Sequence, residues 1–157
     1  METDKYYLQK AIDCAKENVL SGKGGPFGAL IVKGSEIIAC TANSVTLLND
    51  PTAHAEILAI KMACKALKTF VLSDCTIYSS CEPCPMCLGA IYWAKLSRLV
   101  YAATKEDAAK AGFADQLIYK ELDLKPDQRI LPSIQIHLPQ NGLPFEAWMQ
   151  LEDKIKY

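Results

Sequence analysis

The sequence predicts an α/β fold, a sheet layered between helices, and three observations carry that expectation. Segments with apolar residues at helical spacing alternate with short strand-like segments, the pattern of layered α/β domains with a mixed sheet. Half of the residues are hydrophobic and 22% are charged, a composition that excludes disorder and supports a packed core. The chain has 157 residues and shows no repeat, low-complexity tract or interdomain linker, so 1–157 is expected to be a single domain.

The elements follow in order. Tyr7, Leu8, Ala11, Ile12, Ala15 and Val19 recur at helical spacing, and Gly22, Gly24 and Gly25 end that helix. Phe27 to Val32 and Glu36 to Ala42 read as strands joined as a hairpin around Lys33-Gly34-Ser35. Asp50-Pro51 is expected to open the next helix, since Asp caps free N–H groups and Pro suits the first turn. Ile57, Ile60, Cys64 and Leu67 are expected to give that helix its buried face. Cys75 to Ser79 is a short strand, Pro85 starts a helix to about Leu96, and Leu99 to Ala103 is the following strand. Lys105 to Ala111 and Asp115 to Leu122 read as helical, and Ile134 to Leu138 as a strand. From Pro144 a last helix is expected, with Trp148, Leu151 and Ile155 on one side. Lys125 to Pro132, with two prolines and several charges, is the most linker-like stretch.

Charge and leader signals narrow the function classes. The net charge is -1, so there is no strongly basic balance to suggest a nucleic-acid partner. Acidic residues stand among Met1-Glu2-Thr3-Asp4-Lys5 with no apolar run behind a basic cluster, which predicts a cytoplasmic protein without a secretory signal. No apolar stretch is long enough to span a bilayer. Seven cysteines without a secretion signal point to metal binding rather than a disulfide framework. Cys14, Cys40, Cys64 and Cys75 fall in predicted helices and strands, where a cysteine is most often a small apolar side chain. Cys81 lies close to the candidate metal loop, and His137 falls in a predicted strand far from it.

The chemistry-bearing residues form one constellation. His54-Ala55-Glu56 stands upstream of Pro83-Cys84-Pro85-Met86-Cys87. One imidazole and two thiolates make a three-ligand Zn²⁺ site, and a catalytic zinc keeps its fourth position for water. Cys84 and Cys87 are three apart at a helix start, so both sulfurs fall on one side, where the helix dipole favours thiolates. Zinc can bring a bound water to a pKa of about 7, and Glu56 then stands as the proton carrier beside it. His54 and Glu56, two apart, converge on one site only at a helix tip with the metal beyond its end. A closed structural zinc using Cys81 as fourth ligand is the alternative, and it leaves Glu56 without a purpose.

At these residues the chain resembles the cytidine-deaminase-like superfamily, whose zinc-dependent nucleobase deaminases carry H-x-E and P-C-x-x-C. Within it the sequence is similar to the bacterial guanine deaminases. The resemblance rests on Gly24-Gly25-Pro26-Phe27-Gly28-Ala29, on Asn49 through Glu56 and on Ser80 through Ala94. It continues in Ala111-Gly112-Phe113, Asp115, Ile118-Tyr119-Lys120-Glu121 and Tyr157. The resemblance implies a three-layer α/β/α sandwich with a mixed five-stranded sheet, and zinc-dependent hydrolysis of guanine to xanthine and ammonia. It also implies roles for four further residues. Asn43 would read a polar edge of the purine base, Phe27 would line its pocket, Asp115 would meet the guanine amino group, and Tyr157 would close the pocket. Family members form homodimers, and 133–157 is the segment expected to cross to the other subunit. Guanosine, another amino-substituted ring or a tRNA adenosine are the competing substrates, since the zinc chemistry is common to all.

Overall fold

The computed structural model describes residues 2–156. It contains two compact units, the first running up to Asp115 and the second from Gln116 onward.

In the first unit, helix α1 (Glu2–Leu20) leads through a glycine-rich turn to the hairpin of β1 (Gly28–Lys33) and β2 (Glu36–Ala42). Gly34 turns the hairpin at φ 59°, a conformation that glycine adopts without penalty. A short helix α2 (Val45–Leu48) precedes α3 (Ala55–Leu67); β3 (Cys75–Cys81), α4 (Pro85–Trp93), β4 (Arg98–Ala103) and α5 (Lys105–Lys110) complete the unit. The sheet order is β2-β1-β3-β4. β1 pairs antiparallel with β2 and β3, while β3 and β4 are parallel, so the sheet is mixed as expected.

β1 is buried on both faces, because its alternate residues feed two different cores. Leu30 and Val32 pack with Tyr7 and Ala11 of α1 and with Tyr78 of β3. Ala29 and Ile31 pack on the opposite face with Ile77, with Ala55, Ala59 and Ala63 of α3, and with Ile91 beyond them in α4. The apolar face expected on α3 is therefore displaced. Its fully buried stripe is the alanine series at four-residue spacing, and Ile60, Cys64 and Leu67 pack at its margin. Small side chains bring this helix close against the sheet.

Two element boundaries also move. Asp50-Pro51 does not open α3; Asp50 Oδ1 instead accepts from Thr52 N–H at 2.8 Å in a turn, and the helix starts at Ala55 with His54 as its N-cap. α4 stops at Trp93, with Ala94 as C-cap, rather than near Leu96.

The sheet has four strands among the described residues, which corrects the expected five. Ile134 to Leu138 forms no strand. Its apolar alternation is present, but a strand exists only through a ladder, and Pro132 and Pro139 flank it without N–H donors. The second unit holds α6 (Gln116–Asp123), a single 3₁₀ turn at Pro126–Gln128 and α7 (Leu143–Gln150). Glu121 organises its turn, accepting from Ile130 N–H at 2.7 Å while its carbonyl accepts from Arg129 Nε. The last helix is shorter than expected: Leu151 is its C-cap with extended backbone and Ile155 lies beyond it. No helix among the described residues is long and apolar enough to cross a membrane.

Candidate active site

Two helix starts meet at the candidate site. β3 leaves the sheet at Cys81, and Glu82-Pro83 carries the chain to Cys84, the N-cap of α4, with Pro85 in the first turn. His54, the N-cap of α3, holds extended backbone at φ -69° and ψ 154°. It therefore stands outside the helical spiral, and this lets it converge with Glu56, two residues on, at the helix tip.

His54, Cys84 and Cys87 offer three ligand atoms lying within 4.8 Å of one another. His54 Nδ1 is 3.6 Å from Cys84 Sγ and 3.5 Å from Cys87 Sγ. With Zn–S near 2.3 Å and Zn–N near 2.0–2.1 Å, the edges of a tetrahedral site are roughly 3.5 Å. The donor set and its spacing thus fit zinc. Cys81 does not join it; its thiol donates to the Thr104 carbonyl at 3.5 Å, which removes the four-ligand alternative.

The electrostatics point the same way. Hydrogen bonding from Cys87 first, and then from His54, pulls Cys84 down to about 4. Hydrogen bonding with Cys84 first, then burial and the charge of the Glu56 carboxyl, pushes Cys87 up. These shifts favour the thiolate at Cys84 and the thiol at Cys87, and a cation among the three ligands would take the place of the Cys87 proton. Hydrogen bonding to Cys84 raises His54.

Glu56 is buried, with 5% of its surface exposed. Ser79 Oγ donates to its Oε1 at 3.1 Å, and the Cys87 thiol donates to its Oε2 at 3.5 Å. Burial is the largest cause raising its pKa. A carboxyl held against the ligand cluster and poised toward its neutral form can both accept and deliver a proton. Sequence reading missed Ser79; two consecutive serines, Ser79 and Ser80, inside a buried strand were the available signal.

The other expected site residues are placed as follows. Asn43 is buried directly after β2, and the next residue, Ser44, donates its N–H to Ala53 O at 2.9 Å, beside His54. Phe27 packs against the core, and its ring meets Phe113 edge-on, centroids 5.0 Å apart. Asp115 has Oδ1 buried with no hydrogen-bond partner among the described residues, so that oxygen caps no helix. Burial raises its pKa first, and the Cys84 charge adds to this. Tyr157 lies outside the described residues. His137 is exposed and belongs to no metal-ligand group among the described residues.

Residues 1–103 match the family described as the cytidine and deoxycytidylate deaminase zinc-binding region. The guanine deaminase of Bacillus subtilis (strain 168) is 52% identical over 151 residues, covering 96% of this chain and 97% of that protein. Its X-ray structure superposes with a TM-score of 0.96 over 98% of both chains. The tRNA-specific adenosine deaminase of Aquifex aeolicus (strain VF5) is 44% identical over 63% of this chain and 65% of its own. A solved guanine deaminase from Nitrosomonas europaea gives a TM-score of 0.66 at 33% identity, covering 69% of this chain and 63% of that one. The chain belongs to the cytidine and deoxycytidylate deaminase zinc-binding family, and the metal its cluster suits is zinc.

Proposed function

We propose that this chain hydrolyses guanine, adding water at C2 and releasing xanthine and ammonia. One observation carries the substrate: identity of 52% to a guanine deaminase extends over 96% of the chain, including most of the residues after Asp115. Four matched tRNA-specific adenosine deaminases cover 63% to 77% of the chain at 37% to 44% identity.

His54, Cys84 and Cys87 would hold the zinc, which when bound supplies the Lewis acidity that makes a water acidic near neutral pH. Glu56 takes a proton from the water that adds to C2 and passes it to the neighbouring ring nitrogen. The proton of the resulting C2 hydroxyl then moves through the same carboxyl to the exocyclic nitrogen, the C2=O bond of xanthine forms as the C2–N2 bond breaks, and ammonia leaves. Ser79 holds Oε1 of that carboxyl, which fixes its orientation during both transfers. Asp115, whose buried Oδ1 has no partner among the described residues, is matched to the guanine amino group, a donor that satisfies it. Phe27 forms an apolar wall with Phe113, Asn43 binds a polar edge of the base, and Tyr157 closes the pocket.

The working unit is a homodimer that exchanges residues 133–157. Ile134 and Ile136 are 85% and 72% exposed and Phe145 is 71% exposed, more apolar surface than a monomer commonly leaves in water. The cytoplasm is the compartment that suits seven free thiols.

The test is ammonia release by the zinc-loaded protein from guanine, guanosine, adenine, cytosine, cytidine and a tRNA containing the candidate adenosine. Guanine is expected to give the highest kcat/KM. Faster turnover of guanosine, cytosine or the tRNA would overturn the assignment.

A further inference from the structure

Asn18 is a buried amide on α1, continuing the stripe of Ala11 and Ala15 that packs on the sheet. An apolar residue is expected at that spacing. The amide nitrogen is fully employed: Nδ2 donates to Gly25 O at 2.9 Å and to Asn43 O at 2.8 Å. It thereby ties together two segments that are 18 residues apart in the chain. Gly24 completes the junction, since a Cβ there would run into the Asn43 carbonyl oxygen.

The junction decides which way the Asn43 amide faces. Asn43 Oδ1 lies 3.3 Å from Gly25 N–H and 3.4 Å from Val45 N–H, at the long end of the hydrogen-bond range. Both partners are backbone donors, so the atom facing them must be the oxygen. No hydrogen bond among the described residues takes Asn43 Nδ2, and its backbone N–H is used by Phe27 O at 2.9 Å. The fold consumes the acceptor of this amide and leaves the donor.

We propose that Asn18 is a positioning residue: by bridging the Gly25 and Asn43 carbonyls it locks Asn43 as a one-way hydrogen-bond donor, which selects purines with an acceptor edge. This rests on the guanine reading above. Guanine presents O6 and N7 as two acceptors on one edge, whereas a 6-amino purine replaces O6 with a donor. A donor locked by the backbone rejects that exchange, while an amide free to rotate accommodates it.

The probes are guanine as substrate and 2,6-diaminopurine as competitive inhibitor, with discrimination read as the inhibitor constant divided by KM for guanine. Asn18→Ala frees the Gly25 loop. It is expected to raise KM for guanine at least about tenfold with a smaller change in kcat, and to lower discrimination at least about tenfold. Zinc content should stay at wild type. Asn43→Asp keeps an oxygen toward Gly25 and Val45 but turns the free donor into an acceptor, so discrimination should invert in favour of 2,6-diaminopurine. This second variant decides the question should Asn18→Ala not fold. Unchanged discrimination in Asn43→Asp, or in a folded Asn18→Ala, overturns the proposal. A wild type that does not deaminate guanine at all fails the functional reading instead, which separates the two.

Discussion

Glu56 and Asp115 are two carboxyls of one candidate site in contrasting circumstances. Glu56 has both oxygens engaged, by Ser79 and by Cys87, whereas Asp115 has a buried oxygen with no partner among the described residues. The first contrast predicts the outcome of Glu56→Gln. Positioned acid–base catalysis is worth roughly 10²–10⁴-fold and the proposed mechanism uses Glu56 in both transfers, so kcat should fall by at least that much. Zinc content, measured on the same preparation, should be unchanged because Glu56 is not a ligand; near-normal turnover would remove Glu56 from the mechanism. The second contrast predicts a split for Asp115→Asn. An unsatisfied buried carboxyl oxygen costs folding free energy, so the amide should leave the melting temperature unchanged or higher. Guanine kcat/KM should nonetheless drop about 100-fold or more, since the amide no longer offers a charged acceptor to the exocyclic amine. A fall in stability with activity retained would make Asp115 a structural residue. The three ligands were legible in the sequence, because each sits in a short local pattern at the start of a helix, with Glu56 two residues after His54; Asp115 was indicated by the family resemblance alone. Asn18 and Ser79 were not, because their partners come from segments distant in the chain.

At the scale of elements, the site depends on how closely α1 and α3 approach the sheet. Gly28 opens β1 under α1, and a Cβ there would strike the Ala11 carbonyl oxygen and lie 2.8 Å from Ala15 N. Neither atom can move without shifting the helix. Gly28→Ala should therefore cost about 1–3 kcal/mol, read as a lowered midpoint in urea at constant slope. A midpoint equal to wild type would mean that the helix yields freely. The outer end of the same helix is pinned by Asp4, which accepts from both terminal nitrogens of Arg98, at 2.8 and 3.0 Å, and from Tyr78 Oη at 2.9 Å. The Arg98 hydrogen bonds first, then that of Tyr78, hold the Asp4 pKa at about 2, below its ordinary 3.8. A depressed carboxyl stabilises the fold fully above its unfolded pKa and loses that contribution as pH falls through the folded one. The melting-temperature gap between wild type and Asp4→Asn should thus be constant above about pH 5 and close between about pH 4 and 2. Taking the difference cancels metal loss in acid, which both proteins share. A gap that does not change with pH would show that the ionised form of Asp4 contributes nothing. In the first unit the order of the strands and of the longer helices was legible from periodicity, while α2 and the contact faces were not. The alanine stripe of α3 looks unremarkable beside Ile57 and Ile60, and only the tight packing against β1 and β2 makes it the buried one.

At the scale of the whole molecule, the second unit is where sequence and structure diverge. Ile134, Ile136 and Leu138 alternate as a strand should, yet no strand among the described residues pairs with them. Periodicity reports what a segment can bury, while a ladder needs a second segment, and the partner need not be in the same chain. Exchange of an identical segment supplies one at little cost, since it reuses contacts a single chain would otherwise make. The proposed exchange can be tested by complementation. Deleting Lys156 and Tyr157 should leave a folded, zinc-loaded protein with severely reduced activity, and Glu56→Gln should be inactive by itself. The truncated chain retains Glu56, and the Glu56→Gln chain retains the tail. If the tail crosses between subunits, unfolding the two together and refolding them yields mixed dimers in which one pocket combines both groups. Random pairing at equal amounts makes half of the dimers mixed, so activity should recover to at most about a quarter of the wild-type value per site. If each tail serves its own chain, no pocket in any dimer holds both groups and no activity returns. Full activity of the truncated chain alone would end the role of Tyr157, and a monomeric wild type in sedimentation would end the exchange.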